Sequence, residues 1–206
     1  MSENLNVFSD DPALEEAAEP QALSTIPISF RWATIHAPEL RQRVEFPEAI
    51  SDVDAGSLGR PLLFCGPCGC GKTALACALL REWEARNPGR RGVFMGAWRL
   101  GVARLYHGLG MGEAPEVTLA MSTDLLLLDD LGNEYDSSMN AVPDVIYARH
   151  EAALPTWVTT SMTACAITQL YGEGLTRRVS EPGRVTVVQW REFEGWRYEF
   201  LSPDRL

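Results

Sequence analysis

Pro61-Leu62-Leu63-Phe64-Cys65, continued without a break by Gly66-Pro67-Cys68-Gly69-Cys70-Gly71-Lys72-Thr73, is the stretch that decides the fold. The first five residues are an apolar run of buried-strand length. The next eight fit G-x-x-x-x-G-K-[ST], and Ala74 to Arg86 reads as a helix stopped by Asn87-Pro88-Gly89. A strand, a glycine-rich turn and a helix in that order build a cradle for phosphate. The glycines let backbone N–H groups wrap the anion, and the helix N-terminus adds partial positive charge. Lys72 reaches the outer phosphates and the Thr73 hydroxyl ligates magnesium. Residues Gly66, Pro67, Cys68, Gly69, Cys70, Gly71, Lys72 and Thr73 are therefore the expected ATP-binding loop, with Thr73 also a magnesium ligand.

Of the 18 basic residues, 17 are Arg and Lys72 is the single Lys. A position that keeps Lys against that bias calls for a compact ammonium on a flexible stem instead of a planar fork. Cys65 and Cys68 form C-x-x-C, but no second Cys or His pair stands at metal-ligand spacing, and a loop committed to phosphate cannot also wrap a metal. The five cysteines are expected to be thiols.

Working outward, Leu125-Leu126-Leu127-Leu128-Asp129-Asp130 is a buried strand ending in two carboxylates, a Walker B pattern. In sheets of this class ligands bind at the carboxyl ends of the strands. Asp129 is the expected magnesium carboxylate, and Asp130 the group that orients the attacking water. Further strands are read near Val93 to Trp98, Thr156 to Thr160 and Val185 to Val188. Helical stretches follow Trp98 to about His107, near Glu116 to Met121, and from Val142 to Leu154. Strands alternating with helices predict an α/β fold, a parallel five-stranded sheet covered on both faces. Thr156-Trp157-Val158-Thr159-Thr160 runs into Ser161 and ends in hydroxyls, which suits hydrolases that place a polar sensor between the two Walker strands.

The 206 residues suit one ordinary domain at 46% hydrophobic and 22% charged. Residues 1–25 carry six acids and no base, an expected acidic flexible arm in which Pro12 to Ala18 could fold on a partner. A linker over 26–59 with a short helix near Ala37 to Val44, a core over 60–190 and a tail over 191–206 complete the expected organisation. No apolar run approaches the ~18 residues of a membrane helix, and the N-terminus has no secretion signal, so a cytoplasmic protein is expected. The formal net charge of −10 means that nucleic-acid affinity needs a local basic patch. Residues 81–104 provide one, with six arginines against Glu82 and Glu84, a local charge of +4. Arg99 and Arg104, near Tyr106 and His107, are candidate single-stranded-DNA contacts. A solvated charged surface explains the same residues equally well.

Leu125 to Glu134 (LLLLDDLGNE), Ala148 to Thr163 (ARHEAALPTWVTTSMT) and Gln169 to Val188 (QLYGEGLTRRVSEPGRVTVV), in this order after the phosphate loop, resemble the AAA+ ATPases of the DnaC/IstB type. These are helicase loaders and transposition helper ATPases. The resemblance covers about residues 26 to 190. It implies a three-layer P-loop NTPase whose two helical segments before the Walker B strand resemble the initiator-clade insert; residues 189–206 are too few for a full C-terminal lid. It aligns Ser161 with the sensor-one position, where Asn is common, and Arg178 with the arginine finger that completes a neighbouring subunit's site, Arg177 competing for that role. The implied function is ATP hydrolysis in DNA replication as a helicase loader, assembled as a homo-oligomer and acting on a replicative helicase and single-stranded DNA. The nearest alternative is an insertion-sequence helper ATPase that recruits a transposase. A small P-loop kinase and a nucleotide-gated binding module without turnover are the readings from other classes.

Overall fold

A computed structural model describes residues 25–44, 58–134, 140–181, 184–193 and 195–201. The predicted acidic arm, with its helix over Pro12 to Ala18, lies outside the described residues except for Thr25. The strands are β1 (Leu62–Cys65), β2 (Gly92–Gly96), β3 (Leu125–Leu131), β4 (Thr156–Thr160), β5 (Thr186–Phe193) and β6 (Gly195–Leu201). They form one sheet in the order β2-β3-β4-β1-β5-β6. β4 therefore lies between β1 and β3, as a polar sensor strand between the Walker strands requires. Each of the first five strands runs parallel to its neighbours, and β6 returns antiparallel to β5.

Five strands is a miscount. Four parallel strands, β2-β3-β4-β1, form the part of the sheet around the phosphate loop, and the chain then adds β5 and an antiparallel β6. The expected tail over 191–206 is instead the end of β5 and all of β6 as far as Leu201. Nothing in a short polar-aromatic stretch distinguishes a terminal hairpin from a tail unless its partner strand is known.

The sheet is covered on both faces because its strands alternate between two cores. Leu62, Phe64, Leu125, Leu127 and Trp157 face α2 (Lys72–Arg86). Leu63, Leu126, Leu128 and Val158 face the opposite group. That group is α3 (Ala97–Tyr106), α4 (Pro115–Ser122), α5 (Ala141–Glu151), α6 (Ala164–Tyr171) and α7 (Glu173–Ser180). α2 has nine buried residues among its 15, too many for an amphipathic surface helix, and a second layer explains them. A 3-10 turn (Ile28–Phe30) and α1 (Pro38–Arg43) pack outside it, and Ile26, Ala33, Leu40 and Val44 are buried in the same core. The boundary expected at residue 60 is therefore no packing boundary, since the stretch read as linker supplies core residues on both sides of its short helix.

Two helices, α3 and α4, stand between β2 and β3 where the extra helical segments were expected. Arg149 in α5 is fully buried and joins this half of the molecule. Its Nη1 donates to the carbonyls of Ala120 and Thr123, its Nη2 to Pro155 O and its Nε to Thr156 Oγ1. The guanidinium thus satisfies the end of α4 and fixes the entry to β4. Burial lowers its pKa to about 10, still cationic at neutral pH.

Candidate nucleotide site

The phosphate loop leaves β1 at the carboxyl edge of the sheet, and Gly66 N donates to Thr160 O at the end of β4, 3.2 Å away. Gly69 (φ 84°) and Gly71 (φ 97°) occupy the left-handed region, which lets the loop curl back on the helix N-terminus. Cys70 points into the core and is 1% exposed, whereas Cys68 is exposed. Cys65 turns the other way, its thiol donating to Val188 O. Burial pushes that thiol up to about 12, so it carries no thiolate at neutral pH. Among the described residues no group of three or more His, Cys, Asp or Glu converges as a metal cage.

Lys72 opens α2 and is buried, with Nζ 2.8 Å from Gly66 O and 2.7 Å from Pro67 O. A buried ammonium needs acceptors on several sides, and a rotatable point charge with three donors fits the curl of the loop where a planar fork would not. The lone lysine of the chain is thus turned inward onto its own loop.

Thr73, one residue on, donates from Oγ1 to Asp129 Oδ1 at 2.8 Å. Asp129 ends the apolar run of β3 and is 8% exposed. The same Oδ1 accepts from Thr159 Oγ1 at 2.7 Å, so α2, β3 and β4 meet at one carboxylate oxygen. Burial raises the Asp129 pKa above the ordinary carboxylate range. The Thr159 and Thr73 hydroxyls work against that shift, Asp130 adds to it and Lys72 opposes it. A hard divalent cation is the natural counter-charge for such a group. Thr73 Oγ1 and Asp129 supply the one or two oxygen ligands through which Mg²⁺ is usually held beside phosphate, so this donor set fits magnesium.

Asp130 is exposed and adopts φ 58°. The β3–β4 register explains it. Leu128 pairs with Val158 and Leu131 with Thr160, leaving Asp129 and Asp130 opposite Thr159 alone. This two-against-one bulge turns the second carboxylate out of the sheet while the first stays in it. Asp130 N is satisfied by Thr159 Oγ1 at 3.0 Å. Gly132 (φ 101°) then bends the chain under Met162, whose Sδ would lie 2.2 Å from any Cβ there.

The other predicted residues are distributed unevenly. Ser161 is exposed in the turn after β4, while Thr159 and Thr160 are fully buried and bonded into the Walker B strand, Thr160 donating to Leu131 O. Arg178 is half-buried on α7, its Nη1 donating to Gly174 O and its guanidinium 4.4 Å from the Tyr147 ring centroid; Arg177 beside it is exposed. Arg99 is exposed at the start of α3, but Arg104 is engaged by Glu113 and Asp144. Those carboxylates raise its pKa further, and it holds Glu113 below the usual carboxylate range. Arg104 is thus an ion-pair residue tying α3 to α5, and a DNA contact through it would compete with those two carboxylates. Sequence reading missed Thr159 as the group that joins the Asp129 carboxylate to the Asp130 backbone N–H; paired threonines closing a buried strand were its signal.

No family model matches the sequence, and no curated protein matches it. Solved structures do. The DnaC helicase loader aligns with a TM-score of 0.64 at 24% identity, over 78% of this chain and 99% of that one. DnaI aligns at 0.52 and 20%, over 68% of this chain and 77% of that one. AMPPCP-bound DnaA from Aquifex aeolicus aligns at 0.54 and 22%, over 79% of this chain and 50% of that one, so the chain spans about half the length of DnaA. At such identities the likeness establishes the fold alone, a three-layer α/β core of the kind found in DnaC.

Proposed function

We propose that this chain binds and hydrolyses ATP with magnesium and acts in DNA replication as a helicase loader. The observation that carries the first half is the single oxygen of Asp129 shared between Thr73 of the phosphate-loop helix and Thr159 of the strand between the Walker strands. A strand-to-helix turn without a ligand has no use for a desolvated carboxylate held against a helix N-terminal hydroxyl. The second half is supported by the likeness to the solved DnaC helicase loader chain, 99% of which is covered.

In the proposed reaction Lys72 exchanges its two loop carbonyls for the outer phosphates, so the ammonium is solvated by the loop before ligand arrives and is not stranded. Thr73 and Asp129 would hold the magnesium ion, which when bound would supply positive charge to the phosphates. Asp130, turned outward by the bulge, accepts a hydrogen bond from the attacking water. An arginine of α7 from a neighbouring subunit supplies the remaining charge, Arg178 after giving up Gly174 O, or the exposed Arg177. Arg99 and the exposed Tyr106 on α3 offer one charge and one stacking surface to single-stranded DNA.

The test is phosphate release by the purified full chain, with Lys72→Ala and Asp130→Asn beside it. Lys72→Ala is expected to lose nucleotide binding, and Asp130→Asn to bind ATP and turn over at least tenfold more slowly. Undiminished affinity in a folded Lys72→Ala protein refutes the site. Capture from the native host with ATP present is expected to recover a replicative helicase; recovery of a transposase instead refutes the loader assignment and leaves the ATPase standing.

A further inference from the structure

One contact beside the site belongs to neither the phosphate loop nor the paired carboxylates. Glu134 lies three residues beyond Leu131, the end of β3, and Tyr171 is the last residue of α6. The Tyr171 hydroxyl donates to Glu134 Oε2, and Gly132 N faces Glu134 Oε1 at 3.5 Å. Burial, then the Glu134 bond, hold the phenol above the ordinary tyrosine range, so it remains a donor throughout neutral pH.

α6 and α7 behave as one piece. Gly172 (φ 83°) turns the chain between them, Thr168 Oγ1 donates to Thr176 Oγ1 at 3.0 Å across the turn, and Thr176 Oγ1 donates to Gly172 O. α7 carries Arg177 and Arg178. The start of α6 is fixed to the loop after Asp130 through β4, where Thr160 Oγ1 donates to Leu131 O and accepts from Met162 N. An eight-residue helix spans about 12 Å, so that first anchorage lies a helix length from the arginines beyond. There Leu175 and Val179 hold α7 in the core and Arg178 lies over Tyr147, contacts that make no hydrogen bond to the loop after β3. Tyr171 provides a hydrogen-bonded anchorage at the far end, on the stretch that follows β3.

We infer that the Tyr171–Glu134 hydrogen bond is a positioning contact that fastens the arginine-bearing α6–α7 pair to the loop following Asp129 and Asp130, so that one subunit's Walker B loop sets the arginines it presents to its neighbour. This rests on the trans-arginine reading above. It makes Tyr171 and Glu134 important to the subunit that donates the arginine, and dispensable for nucleotide binding in the subunit that receives it.

A mixing experiment with full-length chains separates the two roles. The acceptor carries Arg177→Ala and Arg178→Ala, keeps its own phosphate loop and hydrolyses slowly. Donors in molar excess carry Lys72→Ala alone, or together with Tyr171→Phe, Glu134→Ala, or both. The Lys72→Ala donor is expected to restore phosphate release. Adding Tyr171→Phe or Glu134→Ala is expected to cut that rescue at least fivefold at unchanged co-assembled mass, and combining them to cut it no further, because both remove the same bond. Equal rescue by the Tyr171→Phe donor, or multiplicative losses in the combined variant, overturns the inference while leaving the trans arginine intact. A Tyr171→Phe donor that melts early and drops out of the assembly overturns it in favour of a purely structural contact. A Lys72→Ala donor that co-assembles but restores nothing refutes the trans-arginine reading itself, and this inference with it.

Discussion

Replacing Thr159 by valine isolates what the shared hydroxyl contributes, because the shape is nearly kept while one donor and one acceptor disappear. Thr159 is fully buried, donates to Asp129 Oδ1 at 2.7 Å and accepts from Asp130 N at 3.0 Å. A hydrogen bond to a charged group contributes about 1.5–3 kcal/mol, and a backbone N–H that loses its acceptor costs roughly 1 kcal/mol where water can partly replace it. The expected loss is about 2–4 kcal/mol. At ~2–4 °C per kcal/mol for a chain of this size, the melting temperature should fall by about 5–15 °C. Thr160→Val is the control, since its hydroxyl serves neutral partners, Leu131 O and Met162 N, and should cost roughly 1–2 kcal/mol.

The pH dependence sharpens the test. Asp129 is raised by burial, so its folded-state pKa lies above the unfolded one. Stability from this group is fully present below the unfolded value and is lost as pH rises through the folded one. Removing the Thr159 donor raises that folded pKa further, so Thr159→Val loses more stability than the parent as pH climbs. The gap between the two proteins should be widest near neutrality and narrow on acidification. Thermal melts followed by circular dichroism from neutral to mildly acidic pH measure it directly. A Thr159→Val protein that melts with Thr160→Val, or a gap that stays constant with pH, refutes the assignment of Thr159 to the ionised Asp129.

Three other outcomes are expected. Iodoacetamide at neutral pH should label the exposed Cys68 and Cys165 ahead of Cys65, Cys70 and Cys77, with mass spectrometry reading the sites, and ATP with magnesium should protect Cys68 but not Cys165. Gly132→Ala should lose about 1–3 kcal/mol, and adding Met162→Ala should recover only the steric share, because φ 101° still strains any side-chain-bearing residue. Arg149→Met should lose about 3–5 kcal/mol in chemical denaturation, since the carbonyls of Ala120, Thr123 and Pro155 lose their buried donor together.

What the sequence discloses follows from how each feature is encoded. The phosphate loop is legible because the function proposed for it would be performed by contiguous residues: glycines where φ is positive, a lysine where a compact cation turns inward, a hydroxyl one residue later. The Walker B strand is legible for the same reason, as four apolar side chains give way to two carboxylates between Leu128 and Asp129. Thr159 is a different case. Its importance arises from register, since only when β4 pairs with both β1 and β3 do two carboxylates come to oppose one threonine, and sheet order is written in no single segment. The ion pairs of Arg104 are hidden for a related reason. Its partner Glu113 is nine residues away, but Asp144 is 40 away on another helix, so local charge counting sees a cation and misses the pair. The residues that stand out in the sequence are those whose proposed ligand is a phosphate, and the ones that do not are those whose ligand is the protein itself. The Tyr171–Glu134 bond falls in the second group, joining a helix end to a loop 37 residues earlier, and its place beside both the Walker B loop and the arginine helix is why it is the contact to break first.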